Sequence, residues 1–324
     1  MTYNTISIPV GLVDINDHTF VITTPVPGIS LLESIRTFGL INPPLVKKRS
    51  DGQYQILCGI KRMACCKMLE QKKVGVQTVP KDYADIDCLR LSVLDNLSHR
   101  PLNVIEQSRG IERLSSILPD ESLFEEGCNL LCVPKNRKVF DKTRGLCALP
   151  AIIQEAVEQE RLSFEGSVAL YPFDQEDRLA FFNAMQQLSL SQNKECEFIR
   201  LVNEIARREG ITISQTLSDK PLKEIILANE KLNRAEKTRA AREYLKRRRF
   251  PVMARMENQF GENVKKLSLG ERVRIDHPLG FEGGDYSISF SFKDIDELRH
   301  ILKKIQTTAE NRKAQEIFSD RIPF

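Results

Sequence analysis

The stretch from Leu31 to Leu69, LLESIRTFGLINPPLVKKRSDGQYQILCGIKRMACCKML, limits the possible folds more than any other part of the chain. Its apolar spacing predicts a short helix over Leu31 to Phe38 that stops at Gly39, with Ser30 as N-cap. A strand through Leu45, Val46 and Lys47 turns at Ser50-Asp51-Gly52. A second strand, Tyr54 to Leu57, runs into Gly59, and a helix opens there with Lys61 and Arg62. A strand that passes through a glycine into a helix presents unpaired backbone N–H groups and the positive end of the helix dipole, where anions settle. Gly59 permits close approach or a positive φ. Lys61 and Arg62 add charge, and an arginine can grip phosphate with two parallel hydrogen bonds. A basic first turn also reads as a solvated helix face. The run L-x-x-S-I-x-x-x-G-L-I-x-P-P-x-V from Leu31 to Val46 is the more specific signal.

That order resembles the ParB/sulfiredoxin-like superfamily and, within it, the ParB/Spo0J group of partition proteins. The resemblance implies a nucleoside triphosphate, CTP, held on the turn by Gly59, Lys61 and Arg62. A second segment, Leu94 to Glu106 (LDNLSHRPLNVIE), is similar to the family's Glu-Asn segment that continues to Leu-Asn-x-x-Glu. By that resemblance Asp95 and Asn96 face the phosphates and a Mg ion, and Arg100 adds charge beside them. A carboxylate beside an amide suits Mg²⁺, which takes oxygen ligands and few carboxylates. The chain departs from the pattern in places. The family's Gly-Glu-Arg-Arg is here Gly59-Ile60-Lys61-Arg62, Asp95 is one methylene shorter than the usual Glu, and His99 stands where Arg is common. These changes keep charge for phosphate and remove a carboxylate that hydrolysis would use. In a sulfiredoxin-like reading the nucleophilic Cys would sit at Ile60. Cys58, Cys65 and Cys66 lie off the helix N-terminus that a reactive thiolate needs.

At 324 residues the chain is expected to form two or three domains. Its composition, 41% hydrophobic and 28% charged, is that of a globular protein. No apolar run is long enough for a membrane span, and MTYNTISIPV does not read as a signal peptide, so cytoplasmic residence is expected. The eight cysteines form no Cys-x-x-Cys pair and are expected to be reduced, and the four histidines lack zinc-ligand spacing. The fold class is α+β. A small ParB/sulfiredoxin-like α/β domain over residues 1–90 has further strands at Ile6 to Val10, Phe20 to Thr23 and Gly75 to Val79. An all-α domain with a helix-turn-helix follows over 91–215, then a basic helical linker over 216–250. A small α/β domain over 251–324 reads as helix–strand–strand–helix. Its strands are Val273 to Ile275 and Tyr286 to Phe292, with a hairpin turn at 281–285. The alternation of serines with Ile288, Phe290 and Phe292 gives the second strand one apolar face, and strand edges of this kind suit a dimer.

The helix-turn-helix is placed at helices 121–131 and 136–147, joined at Cys132-Val133-Pro134. On the second helix Val139, Phe140, Thr143, Leu146 and Cys147 share one face, and Arg137, Lys138, Asp141, Lys142 and Arg144 occupy the other. Lys135, Arg137, Lys138, Lys142 and Arg144 are the expected DNA-binding residues. A second basic window, Lys231 to Arg249, carries nine basic residues against Glu236 and Glu243 and reads as a further footprint for nucleic acid. The Leu-Cys-Ala-Leu-Pro ending (146–150) and the later Leu162-Ser163 resemble the ParB helical domain. The resemblance therefore implies a DNA-binding, CTP-regulated protein of chromosome or plasmid partition, or a transcription regulator. Its partners would be double-stranded DNA, a nucleoside triphosphate, a second copy of the chain and a ParA-type ATPase, with no membrane. It would be nucleoid-associated, with at most weak CTPase activity. The alternative is an enzyme on the same fold, a nuclease or small-molecule kinase, with Asp95 as its catalytic carboxylate.

Overall fold

The computed structural model describes residues 3–278, 281, 285–311, 314 and 318. The chain divides into two compact units, Met1–Ile199 and Arg200–Phe324.

The first unit opens with strand β1 (Asn4–Pro9) and helix α1 (Ile29–Phe38). Strands β2 (Leu45–Lys48) and β3 (Tyr54–Cys58), helix α2 (Ile60–Met68) and strand β4 (Lys73–Thr78) follow. The sheet order is β1-β4-β2-β3. β1 runs antiparallel to β4, and β2 to β3, while β2 and β4 pair in parallel with Leu45 opposite Gln77. The long connection through β3 and α2 is what a parallel pair requires. Gly39 ends α1 with φ 73°, a conformation that glycine adopts at little cost. Ser30, expected as the N-cap, lies inside the first turn instead. Gly28 is the N-cap and provides no side-chain bond.

Phe20 to Thr23, expected as a strand, is an irregular segment. Phe20, Val21 and Ile22 are nonetheless fully buried. Nearby carbonyl groups are met by side chains rather than by a sheet neighbour. Arg113 donates to the His18 carbonyl at 2.7 Å and Arg109 to that of Ile22 at 3.4 Å. A short apolar run reports burial and leaves open whether the backbone pairs.

Eight helices complete the unit and reach its boundary: α3 (Asp85–Leu97), α4 (Val104–Ser115), α5 (Asp120–Leu131), α6 (Arg137–Gly145), α7 (Ala151–Glu158), α8 (Phe164–Val168), α9 (Gln175–Met185) and α10 (Gln192–Glu209). α4 starts on a capping box in which the Asn103 side chain accepts from the Glu106 N–H and Glu106 accepts from the Asn103 N–H. One buried cluster joins Leu45 and Leu57 of the sheet to Leu89 and Val93 of α3, Ile111 and Leu114 of α4, Leu131 of α5 and Phe140 of α6. The sheet and the first helices therefore share a core. Close approach is built into it: a Cβ on Gly127 would fall 2.8 Å from the Phe140 ring.

The second unit contains α11 (Ile213–Leu217), a π-helical turn (Pro221–Leu227), α12 (Arg234–Arg249) and α13 (Pro251–Lys266). Pro251 opens α13 at the position where a missing N–H costs nothing. Strands β5 (Val273–Asp276) and β6 (Ser287–Phe290) then pair antiparallel, and α14 (Ile295–Ala309) follows. Phe260, Val273, Ile275 and Ile301 form the core here. The apolar face expected on β6 is only partly covered within the unit, for Ile288 and Phe292 are exposed. The turn expected at 281–285 falls, over 282–284, outside the described residues.

Phe140 is buried and meets Phe124 edge to face at 5.2 Å. Phe140→Ala should lower the stability of the first unit by about 3–5 kcal/mol. Urea unfolding followed by circular dichroism would show a lower midpoint, and an unchanged midpoint would contradict this packing.

Candidate functional site

β3 passes into α2 at Gly59, whose backbone is left-handed at φ 87° and ψ 31°. A side chain would be strained in that conformation, and its Cβ would fall 2.8 Å from the Arg62 guanidinium. Gly59 gives the helix no side-chain cap. The N–H groups of Ile60, Lys61 and Arg62 therefore lack an intrahelical acceptor and carry the positive end of the dipole. They border a cleft of about 360 Å³.

The opposite wall comes from α3 and the turn after it. Gly59, Lys61, Arg62, Asp95, Asn96 and Arg100, the residues expected at a nucleotide, all line this cleft. Arg62 is fixed by a 2.8 Å bond to the Asn42 carbonyl and lies 3.7 Å from the Asp95 carboxylate. The Asn96 side-chain amide donates to the Ser92 carbonyl at 2.8 Å, which leaves its oxygen as an acceptor. Lys61 lines the cleft at intermediate exposure.

Arg100 is committed elsewhere. Its guanidinium bonds both oxygens of Glu106, at 2.6 and 2.5 Å, and that carboxylate is buried. Drawing Arg100 onto a phosphate would leave a buried charge with only its backbone partner, a costly exchange. His99, noted in the sequence only as a departure, also lines the cleft. Thr23 and Asn42 were missed. Thr23 sits at the end of the run read as a strand, and Asn42 contributes its carbonyl, which no side-chain pattern announces.

Among the described residues no cluster of three or more His, Cys, Asp or Glu could hold a metal. Asp95 and Asn96 offer one carboxylate and one amide oxygen. That set fits a Mg²⁺ that takes its remaining ligands from phosphates and water, and it does not fit a site built from protein ligands alone.

The helix-turn-helix elements are α5 and α6. Cys132 ends α5 in the left-handed region at φ 57°, and the Asn136 side chain caps α6 by accepting from Lys138 and Val139 N–H. Phe140 and Thr143 are buried, while Lys135, Arg137 and Lys138 are exposed. Arg137 pairs with Asp141 at 3.2 Å and lies 5.5 Å from the Phe124 ring. Lys142 is held by Glu165, and Arg144 is half-buried. In the second unit the arginines that end α12 are spent on ion pairs. Arg247 meets Glu243 at 2.7 Å, Arg248 meets Glu209 at 2.6 Å, and Arg249 meets Glu204 at 2.7 Å. The footprint expected over 231–249 therefore has less free charge than its composition suggests.

Comparison with known proteins agrees with the resemblance read from the sequence. A family model described as the ParB N-terminal domain matches residues 29–97, a stretch that includes Gly59, Lys61, Arg62, Asp95 and Asn96. The nucleoid occlusion protein of Bacillus licheniformis is 28% identical over 150 residues, 45% of this chain and 50% of that protein. The chromosome-partitioning protein Spo0J of Thermus thermophilus is 31% identical over 153 residues, 46% of this chain and 52% of that protein. The chain thus spans about half the length of the curated relatives it matches. The C-terminally truncated ParB from Caulobacter crescentus, solved with CTP-γ-S, covers 52% of this chain and 93% of its own at 22% identity. The TM-score between the two is 0.26. Among the described residues no helix is long and apolar enough to cross a membrane.

Cys58, at the end of β3, borders the cleft. Burial and then the Asp95 charge push its thiol up to about 12, against the pull of Arg62. The thiolate is therefore absent at neutral pH, which weighs against thiol chemistry here. Iodoacetamide at about pH 8 should label the exposed Cys132 well before Cys58. Peptide mass mapping that found Cys58 labelled first would contradict this.

Proposed function

We propose that this chain, which carries a ParB N-terminal domain at residues 29–97, is a DNA-binding protein whose state is set by a nucleoside triphosphate. One observation carries the reading. Gly59, Lys61 and Arg62 at a bare helix N-terminus share a cleft with Asp95 and Asn96 of α3. The triphosphate would lie on the first-turn N–H groups of α2, with Lys61 and Arg62 as its cations. Asp95 and Asn96 would hold a Mg²⁺ bridged to the phosphates, and the ion would offset phosphate charge. CTP is the nucleotide that the family resemblance implies. Arg100 keeps its bond to Glu106 and acts by holding the start of α4.

α6 would then meet double-stranded DNA through Lys135, Arg137, Lys138, Lys142 and Arg144. A second copy of the chain and a ParA-type ATPase are the partners that go with this reading, and the nucleoid is the place. Its role would be partition of a chromosome or plasmid, or regulation of transcription. Ile60 is buried where a hydrolytic carboxylate would stand, and Asp95 lies beside Arg62. Both favour binding and switching over turnover.

Calorimetry with each of the four ribonucleoside triphosphates and Mg²⁺ should find one binder, CTP. Arg62→Ala should weaken it about tenfold or more, the value of a charge-assisted hydrogen bond. No heat with any of the four would overturn the proposal.

A further inference from the structure

Lys142 is one of the cations that α6 would present to DNA, yet it is already occupied. Its Nζ bonds both oxygens of Glu165, at 2.9 and 2.8 Å. Glu165 is not a loosely placed surface acid. It sits in the first turn of α8, where the helix dipole favours a negative charge. The turn is pinned to α10. The Ser163 N–H and hydroxyl both bond Glu195, which is buried, and the Ser163 hydroxyl also caps Gly166 N–H. Gly166 has no room for a Cβ, which would collide with the Glu195 carboxylate. The backbone that carries Glu165 is thus held by buried contacts independent of Lys142. On the other side, Tyr171 donates to the Lys142 carbonyl and its ring covers Gly145. Donor and acceptor are both on fixed backbone, and both side chains are partly open to solvent, at 39% exposure each.

We propose that Glu165 is an intramolecular competitor for DNA phosphate: it holds Lys142 in the unbound protein, and the duplex must displace it to gain that contact. This rests on the DNA-binding reading of α6 and goes beyond it by assigning an acid that keeps general affinity low. The pair is a modest one, because it is half-exposed. An exchangeable competitor has to be modest, since a deeply buried partner would not let go. Arg137 is engaged in the same manner by Asp141, but as an i,i+4 pair on one helix it moves with the helix and is more open to solvent.

The test is fluorescence anisotropy of the full chain against a mixed-sequence duplex about three helical turns long, over a range of salt. Glu165→Gln should tighten binding roughly 2- to 5-fold, the value of a half-exposed pair. The slope of log K against log salt should change by less than about 0.9, the value of one phosphate contact, because Lys142 reaches the phosphate in both complexes. The gain should vanish in Lys142→Met/Glu165→Gln, which separates a released lysine from a simple loss of negative charge. The melting temperature of Glu165→Gln should fall by no more than about a few degrees, the cost of one half-exposed pair, since the Ser163 and Gly166 contacts remain. If the wild type binds and Glu165→Gln binds no better, or if the gain survives without Lys142, the competitor role is overturned while the DNA reading stands. If the wild type binds no duplex at all, both fall.

Discussion

The left-handed backbone at Gly59 is the constraint on which the site depends. It turns the chain from the edge strand β3 directly into α2 without a side-chain cap, so the first-turn N–H groups border the cleft. Arg62 packs where a Cβ would otherwise go. From there it reaches the Asn42 carbonyl on one side and Asp95 on the other. One glycine thus fixes the helix end, the position of the arginine and the distance to α3. Asp95 and Asn96 come into range because α3 shares its buried face, through Leu89 and Val93, with the core that holds Leu57.

The cations of this chain differ in how far they are free. Composition counts cations, but recognition depends on how firmly each one is held by a partner of its own. Arg100 belongs to Glu106, Lys142 to Glu165, and the arginines at the end of α12 to acids of their own unit. These pairs differ in weight. The Glu106 carboxylate is buried and also caps α4, so Arg100 is costly to remove. The Lys142 pair is half-exposed and cheaper to break. A net charge of +4 hides these differences entirely.

Much of this was legible in the sequence, and the reason is local. The helix–strand–strand–helix order from α1 to α2 follows from apolar spacing and from glycines at positions 39, 52 and 59 that take positive φ. The cleft residues were legible because two short motifs name them, although nothing local shows that residues 59–62 meet residues 95–100. The segment Phe20 to Thr23 reads as a strand because it is apolar, yet it has no sheet neighbour: the Ile22 carbonyl accepts from Arg109 and the nearby His18 carbonyl from Arg113, both on α4 and far away in sequence. Ser30 reads as a cap in the sequence, but the helix starts two residues earlier than its apolar spacing indicates, at Ile29 with Gly28 as N-cap. The partners of Arg100 and Lys142 were invisible for a related reason. A basic residue looks the same in sequence whether it faces solvent or an acid supplied by another helix.

A triphosphate on the bare N-terminus of α2 would be reported directly by the backbone amides there. A titration of ¹⁵N-labelled protein with CTP and Mg²⁺, followed by amide chemical shifts, tests it. The account predicts the largest shifts at Ile60, Lys61 and Arg62, with a second set at Asp95 and Asn96. Shifts confined to other parts of the chain, with those five amides unmoved, would contradict it.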